Sequence, residues 1–555
     1  MRRVGIALAA GIALADASIV TLGLPSILVE LKATVEGVAL VLGVYTAVLA
    51  IALLPAVWLC RRFGDAPVGA AGFGLFLLAS IGCGASNSLG LLLALRGVQA
   101  LGAAGGLVAA FALLDGGRPG PGRRLWVAAS VFGIAIGPAL GGALTQAFSW
   151  RAIFFAQAPI VLPGLLVALQ VARTEPADAA VRDPGRSPSP FPWRAAVSLA
   201  LLSASLTAVV FLVVLLLVSG WSIEPLSAAL AVSVLPVAAI ASSRLGGDPQ
   251  IRAVAGCLLV AGGVGCLALL PGASAWWTVI PQMLAGAGMG LALPALSGEL
   301  IPERTRLDSA RLLSIRHAGI AVALAALAPL ISSNLTSTID TAREQGTAAV
   351  LDAKLPPEKK IEIAPDLFGG LNTDDPRGEL QKEIAKAKAG LSGDEATEMG
   401  HLGDRLDEVV TGAVRSAFRP TFIVTSGLAL LAALILLTGA GRAAAALTRP
   451  AVAAAAIAGL LAAGGYGIAY ANSTRETVKI GDPCEERQLP DVGGISGALQ
   501  DISLEALDRA ACKFGSSREE LLLALFDDRL QHKFEEEHGV NPRDLLSLGP
   551  AILGF

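Results

Sequence analysis

The sequence predicts an all-α membrane protein that crosses the bilayer many times. Hydrophobic residues make up 54% of the 555 residues and charged residues only 16%, which is less charge than a soluble chain carries. The apolar residues are gathered into runs of about 20, the length that a helix needs to cross the hydrocarbon core. No secretory cleavage site follows the first run, so we expect it to be retained.

Thirteen apolar runs are predicted to be membrane helices, at residues 4–29, 37–60, 67–87, 89–114, 125–148, 151–172, 195–219, 226–243, 252–270, 277–300, 315–333, 419–438 and 450–471. They predict an N-terminal half of six helices at residues 1–172, a cytoplasmic linker at 173–193 and a C-terminal half of six helices at 194–438. A polar insertion at 334–418 interrupts the second half. Residues 439–471 hold a loop and the thirteenth helix, and residues 472–555 form a small helical tail domain.

Positive charge is distributed unevenly between the two predicted sides. Arginines such as Arg123 and Arg316 collect in loops on one side, whereas the short loops on the other side hold only Lys32 and Arg151. Because cytoplasmic loops are enriched in Lys and Arg, we expect a cytoplasmic amino terminus and an insertion and tail outside the cytoplasm. We expect the plasma membrane of a bacterium, as the Ala-, Gly- and Arg-rich composition suggests.

Two charges lie well inside the apolar runs, more than one helical turn from either end. Asp16 lies near the middle of the first run and Arg96 lies in the fourth. A charge at this depth costs roughly 2.5–3.5 kcal/mol on insertion scales, so intramembrane acids usually serve a function. We interpret Asp16 as a protonation switch and Arg96 as its electrostatic partner, directly or through a substrate. The alternatives are a packing role for Asp16 and an Arg96 side chain that reaches the outer surface.

The fifth run contains a face without side chains. Gly133, Gly137 and Gly141 recur every four residues, Pro138 and Gly142 accompany them, and such a stripe lets another helix approach closely. Small-residue packing of this kind is common in membrane bundles. The full pattern Gly-x-x-x-Gly-Pro-x-x-Gly-Gly resembles the fifth-helix antiporter motif of the major facilitator superfamily.

The loop between the second and third runs resembles another motif of that superfamily, Gly-x-Leu-x-Asp-Arg-x-Gly-Arg-Lys, which acts as a gating loop. Arg62 and Gly64 match it, but Arg61 occupies the position of the Asp and Asp65 that of the later Arg. The charges are exchanged, and the leading glycine is missing. The resemblance therefore implies an ion pair here, with an altered latch.

Two further stretches carry recognisable motifs. Residues 95–104 are similar to the Arg-x-x-Gln-Gly motif of the superfamily, with Ala100 in place of the glycine. Residues 150–160 are similar to the Trp-Arg-x-Ile-Phe-x-x-Asn-x-Pro motif of its drug:proton antiporter branch, with Gln157 for Asn. The resemblance implies two six-helix bundles around a central cavity. The candidate polar groups of that cavity are Gln99, Gln146, Gln157 and Gln282.

The second half carries no carboxylate at mid-membrane depth, so proton coupling would depend on the first half. We interpret His317 as an interfacial or packing residue rather than a proton relay. The insertion is either a solvated connector or a lid that docks a partner. Cys484 and Cys512 are the two cysteines of the tail, and in an oxidising compartment we expect them to form a disulfide.

These features predict a proton-coupled exporter of lipophilic or amphipathic small molecules, with the proton gradient as its energy source and no cofactor or metal. No Gly-x-x-x-x-Gly-Lys-Ser/Thr loop is present, so ATP is not the expected energy source. We expect neither enzymatic activity nor a nucleic-acid partner. Two alternatives remain: export of an envelope lipid to an extracytoplasmic carrier protein, and a non-transporting receptor or assembly factor on a degenerate transporter scaffold.

Overall fold

The computed structural model describes residues 2–118, 120–174, 191–299, 305–356, 358–360, 376–438, 450–473, 478, 480–485, 489–490 and 494–547. Most of the predicted linker at 173–193 lies outside these ranges. The described residues form helices joined by short loops, and none of them is in a β-strand. The prediction of an all-α membrane protein is therefore confirmed.

Twelve stretches of the described chain are long and apolar enough to cross a membrane. They are α1 (Arg2–Thr21), α3 (Val35–Phe63), α4 (Asp65–Gly84), α5 (Leu89–Leu113), α7 (Trp150–Thr174), α8 (Trp193–Leu215), α9 (Pro225–Val232) with α10 (Val234–Ser242), α11 (Pro249–Leu267), α12 (Trp276–Pro294), α13 (Arg306–Leu351), α15 (Asp394–Leu437) and α16 (Pro450–Asn472). The remaining predicted span, 125–148, lies on α6 (Pro121–Ala147).

Two predicted runs are each divided into two helices. The run at 4–29 comprises α1 and a short helix, α2 (Leu24–Glu30), which has Pro25 in its first turn. Proline suits that position because its missing N–H has no partner within a helix there. The run at 226–243 is divided into α9 and α10 at Ser233. Neither division alters the number of crossings.

Two other helices are much longer than the apolar runs that predicted them. Helix α13 has 46 residues and α15 has 44, whereas the runs at 315–333 and 419–438 have only about 20. No proline follows Pro329 in α13, so the backbone stays helical where the residues become polar. Helix α13 also begins at Arg306, before the predicted run. Arg316 and His317 therefore lie about 15 Å along α13 from its first residue, at a rise of about 1.5 Å per residue.

The membrane helices form one compact unit, Met1–Ser219, Ile223–Ser333 and Phe418–Ser473. Close contacts at glycine hold several pairs together. A Cβ at Gly102 of α5 would lie 2.5 Å from the Phe76 amide nitrogen of α4, and one at Gly262 of α11 would lie 2.7 Å from Gly459 Cα of α16. These distances permit only glycine, so the thirteenth span is packed against α11 as closely as the core helices are packed together.

The second compact unit comprises Gly220–Ser222, Asn334–Ala417 and Thr474–Phe555, so the insertion and the tail fold together. We call it the polar unit. Its helices are the ends of α13 and α15 together with α14 (Pro376–Ala389), α17 (Gly494–Phe514), α18 (Arg518–Phe526), α19 (Asp528–His538) and α20 (Pro542–Ser547). The insertion has its own apolar core, which includes Leu380, Met399 and Leu402.

Ion pairs join the insertion to the tail inside the polar unit. Arg518 Nη2 lies 2.9 Å from Asp352 Oδ1, and Arg529 Nη2 lies 2.5 Å from Asp340 Oδ1. The Arg518 side chain is fully buried, so it requires the carboxylates around it. Cys484 and Cys512 form a disulfide with a Cα–Cα distance of 5.0 Å, which confirms that prediction.

Candidate functional site

The two intramembrane charges meet directly. Arg96 Nη1 of α5 lies 2.6 Å from Asp16 Oδ2 of α1, and both side chains are completely buried. Arg96 also donates from Nε to the Val41 carbonyl at 2.9 Å, and its guanidinium carbon lies 4.4 Å from the centre of the Tyr45 ring. The aromatic face and the carbonyl add to the carboxylate in stabilising a cation that cannot lose its proton.

Amide and hydroxyl groups complete a hydrogen-bonded cluster around this pair. Gln157 Nε2 of α7 donates to Asp16 Oδ1 at 2.8 Å, and Arg96 Nη1 donates to Gln99 Oε1 at 2.6 Å. Gln99 Nε2 lies 2.7 Å from Gln157 Oε1 and 2.8 Å from the Ser80 hydroxyl of α4. We call these five residues the charge cluster. All belong to the N-terminal half, so four helices of one bundle position a single carboxylate.

The charge cluster contains one donor without a partner. Arg96 Nη2 is buried and makes no hydrogen bond to any described residue. An unpartnered charged donor is costly, since its lost hydration is not replaced. Asp16 is therefore the group that compensates the charge of Arg96 within the cluster. A proton on that carboxyl would turn an acceptor into a donor and leave Arg96 with less compensating charge.

The glycine face of α6 packs against the same part of α1. A Cβ at Gly137 would overlap the Ser18 side chain, and one at Gly141 would overlap the Ile19 carbonyl oxygen. Gly142 approaches Ala229 of α9 equally closely. The surroundings of Gly133 lie outside the described residues. Residues 16–19 of α1 therefore contact the charge cluster on one side and the glycine face on another.

A cavity lies between the two halves. Its empty space, including the part open to solvent, is about 750 Å³. Its walls come from α1, α3 and α6 of the first half and α8, α10, α12 and α13 of the second, and they include Leu14, Ala17, Ser18 and Thr21 of α1. Asp16 is not part of the wall, because its carboxylate points into the N-terminal half. Helix α1 thus separates the charge cluster from the cavity.

The gating loop joins the two halves through an ion pair. Asp65 Oδ2, at the start of α4, lies 2.7 Å from Arg306 Nη2 at the start of α13, and both side chains are largely buried. Gly64 lies between α3 and α4 and has φ +88°. Glycine adopts this backbone conformation more readily than other residues do. Arg61 and Arg62 are exposed. The exchanged charge at Asp65 is therefore used, with a partner distant in the sequence.

One group outside the membrane unit brings three possible metal ligands together. Glu520, Glu537 and His538 place their ligand atoms within 4.8 Å of one another. His538 Nδ1 donates to the Phe514 carbonyl at 3.1 Å, and Nε2 lies 3.3 Å from Glu520 Oε1. Lys533 lies 4.0 Å from Glu537. Hydrogen bonds and ion pairs thus account for the close approach of these three side chains.

The sequence is also similar to known proteins. The sequence model of the Major Facilitator Superfamily matches residues 6–306, which is more than half of the chain. The chain belongs to the major facilitator superfamily. This superfamily consists of membrane transporters, in agreement with the prediction of a transporter rather than an enzyme.

The individual relatives of this superfamily member match shorter segments. It is 35% identical over 159 residues to the uncharacterized MFS-type transporter Rv1250 of Mycobacterium tuberculosis, a match that covers 28% of this chain and 27% of the relative. It is 33% identical over 150 residues to the multidrug resistance protein Stp of the same species, covering 26% of this chain and 28% of Stp. The matches thus span about a quarter of these relatives.

A solved structure of the superfamily supports the fold over a longer range. A bacterial homologue of the human lysosomal transporter Spinster, in an inward-facing and occupied conformation, has a TM-score of 0.53 and 17% identity. The similarity covers 78% of this chain and 95% of that one. At this identity the likeness concerns the fold alone.

The structure brings together some of the residues predicted for a superfamily site and separates others. Gln99 and Gln157 lie beside Asp16 and Arg96 in the charge cluster. Gln282 is buried on α12 and donates to Thr278 of its own helix at 2.9 Å, and Gln146 is exposed near the end of α6. The two halves therefore differ in their buried polar groups, since the charge cluster lies wholly in the first half.

Sequence reasoning missed three polar groups of this superfamily member. Ser80 belongs to the charge cluster, and Ser203 and Arg316 line the cavity. A serine in an apolar run is a weak signal, because its hydroxyl can bond to its own helix. Arg316 lies at the edge of the predicted run 315–333, where the positive-inside pattern groups it with the arginines of a cytoplasmic loop. His317, interpreted as a packing residue, also lines the cavity, with Nδ1 2.7 Å from the Leu313 carbonyl.

Proposed function

We propose that this chain is a proton-coupled secondary transporter that exports lipophilic or amphipathic small molecules across the plasma membrane by alternating access. The observation that carries the proposal is the buried Asp16–Arg96 pair within the charge cluster. An intramembrane carboxylate with a fixed cationic partner is a group whose charge can be changed by one proton. The amino terminus would be cytoplasmic and the polar unit extracytoplasmic, as the arginine distribution indicates.

Protonation of Asp16 would alter the packing of α1. Arg96, Gln157 and Gln99 all direct donors at the carboxylate, so a proton there removes the best acceptor of the cluster. The N-terminal half would then favour a different arrangement of α1 and α5. Because the opposite side of α1 lines the cavity, the protonation state of Asp16 would be transmitted to the substrate site through one helix.

The glycine face would limit the cost of this movement. Gly137 and Gly141 place backbone against backbone at the α1–α6 contact, where no side chain has to change rotamer when one helix slides. The Asp65–Arg306 pair would hold the two halves together on the predicted cytoplasmic side. Its separation would accompany opening of the cavity towards that side.

The name of the relative Stp, a multidrug resistance protein, supports small-molecule export. The polar unit favours the second candidate, export of an envelope lipid to an extracytoplasmic carrier protein. It is a compact body of insertion and tail with its own apolar core and disulfide, which is more structure than a connector between helices needs. A non-transporting receptor is the third possibility.

The test is transport by purified protein in liposomes under an imposed pH gradient. We would follow ethidium, a lipophilic cation, and anilinonaphthalene sulfonate, a lipophilic anion, with wild type, Asp16→Asn and the control Asp115→Asn. Asp115 is an exposed loop carboxylate with φ +55°, a conformation that Asn tolerates. We expect gradient-driven transport to fall by more than about tenfold in Asp16→Asn and to persist in the control.

Other outcomes would change the assignment. Equal transport in wild type and Asp16→Asn would exclude Asp16 from energy coupling. Failure of folded wild type to move either probe would contradict small-molecule export. A subsequent assay with lipid vesicles would then distinguish lipid export from a receptor role.

A further inference from the structure

The cavity between the halves has an uneven distribution of charge. Among the described residues that line it, Arg316 of α13 is the one charged side chain, and no Asp or Glu contributes to the wall. The carboxylate nearest along α1, Asp16, points away into the charge cluster and is paired with Arg96. A cavity with a cation and no wall carboxylate has a positive potential.

Arg316 has no partner among the described side chains that would explain its position. Its Nε is buried and makes no hydrogen bond to any described residue, and no ion pair of Arg316 occurs within the described part of the chain. A guanidinium remains charged at every physiological pH. It lies about 15 Å along α13 from Arg306, too far inside for a cation that merely ends a helix.

A second polar atom in the wall is also unpartnered. Ser203 of α8 is 3% exposed, and its hydroxyl has no hydrogen-bond partner among the described residues. Other hydroxyls of the wall, such as those of Ser18 and Thr21, bond to carbonyls of their own helix. Buried hydroxyls without a partner are uncommon. Ser203 of α8 and Arg316 of α13 thus offer hydrogen-bond donors from two different helices of the C-terminal half.

We propose that the cavity binds amphipaths with an anionic head group, such as a sulfate, carboxylate or phosphate, through Arg316 and Ser203. Both groups donate hydrogen bonds, and an anionic oxygen is the strongest acceptor for them. The apolar part of the substrate would lie against Leu206, Met289 and Ile320, which line the same cavity. This inference rests on the proposed function, because it names the class of substrate that is exported.

The test compares binding of two probes that differ only in the head group. Radiolabelled dodecyl sulfate and dodecyltrimethylammonium, both well below their micellar concentrations, are bound to full-length protein in lipid nanodiscs. We expect wild type to bind the sulfate at least about tenfold more tightly than the ammonium compound. Arg316→Gln should lose that preference, and Ser203→Ala should weaken it.

A matched control removes the same charge elsewhere on the same helix. Arg311 of α13 is exposed and lies outside the cavity wall, so Arg311→Gln should bind like wild type. Arg316→Lys keeps the charge and should retain part of the preference. It serves as the second variant if the Arg316→Gln protein does not fold. Equal binding of the two probes by wild type, or equal effects of Arg311→Gln and Arg316→Gln, would overturn the inference.

A third probe identifies the source of the head group. Dodecanoyl lysophosphatidate carries a phosphate on a chain of the same length, so preference for it over dodecyl sulfate indicates a lipid substrate. The reverse preference indicates a free amphipath. Because these are binding measurements, they are independent of Asp16: proton coupling can fail while anion binding holds, and the reverse can also occur.

Discussion

A buried lysine shows how a single residue can make the polar unit sensitive to pH. Lys360 is 6% exposed, and its Nζ donates to the Leu351 carbonyl at 2.6 Å. The pKa of Lys360 is lowered to about 8, chiefly by burial and also by the charge of Arg518, while Asp352 and Glu398 act in the opposite direction. The unfolded chain would keep the ordinary value of 10.5.

We expect the polar unit to become more stable as the pH rises from about 8 to about 10.5. In that window the unfolded chain retains a proton that folded Lys360 has released, so folding is favoured by rising pH. The full effect would be about 3 kcal/mol, at 1.36 kcal/mol for each unit of pKa. Below pH 8 both states are protonated and Lys360 contributes no slope.

The measurement is the urea midpoint of the polar unit in full-length protein, determined by pulse proteolysis between pH 7 and pH 10.5. Lys360→Met should lose the slope that wild type shows, whereas Lys388→Met, at an exposed position of α14, should keep it. The slope is the readout, because removal of the hydrogen bond to Leu351 changes the absolute stability as well. Identical slopes in wild type and Lys360→Met would contradict the prediction.

Single residues also show what the sequence could predict of the site. Asp16 and Arg96 were recognised because a charge in an apolar run is costly and therefore conspicuous. Ser80 and Ser203 were missed because hydroxyls are common in membrane helices. Arg316 was missed because a charge at the edge of an apolar run reads equally well as part of the adjoining loop. The separation of Gln146 and Gln282 from Asp16 could not be foreseen either, because the face that a helix presents to its neighbours is decided by packing.

At the scale of elements, the contact between α1 and α6 depends on glycine. A methyl group at Gly141 would meet the Ile19 carbonyl oxygen, a backbone atom that cannot move without displacing α1. We expect Gly141→Ala to destabilise the membrane unit by about 1–3 kcal/mol, the usual cost of overpacking. The effect should appear as a lower midpoint of thermal unfolding in detergent.

Four buried free cysteines provide the signal for that measurement, because a thiol-reactive dye labels them only when the helices separate: Cys60, Cys83, Cys257 and Cys266. Gly43→Ala is the control. No atom lies within 4 Å of a Cβ at Gly43 of α3, and alanine is the better helix former, so its midpoint should be unchanged or slightly higher. A Gly141→Ala midpoint equal to that of wild type would show that α1 and α6 do not depend on this contact.

The positions of the membrane helices were predicted well, because composition alone decides them. The apolar runs located the membrane helices because length and hydropathy suffice for that purpose. The lengths of α13 and α15 were not predicted, since hydropathy reports where a helix leaves lipid and not where it ends. The pairing of insertion with tail in one unit depends on Asp352 meeting Arg518, a contact between residues 166 positions apart.

At the scale of the whole molecule, the disulfide stabilises the tail, which follows α16 in the chain. Cys484 and Cys512 are separated by 28 positions, and closing a loop of that length stabilises a domain by roughly 3–4 kcal/mol. We expect Cys484→Ser to lower the urea midpoint of the polar unit and to increase cleavage of the tail by protease. The free partner Cys512 would then react with a maleimide.

Cys257→Ser serves as the control, because Cys257 is a free cysteine of the membrane unit. Its substitution should leave proteolysis of the tail unchanged. If Cys484→Ser also left the tail as resistant as wild type, the apolar core around Phe534 and Ala511 would be sufficient to hold the tail without the covalent link.

The shared construction of the polar unit has a consequence for the biosynthesis of the chain. Asp352 is translated 166 residues before Arg518, which takes roughly 8–33 s at roughly 5–20 residues per second. During that interval the rest of the insertion and α16 are synthesised, while Asp352 still lacks Arg518, its partner in the tail. A protease or chaperone that acts within seconds can therefore reach the insertion before the polar unit is complete.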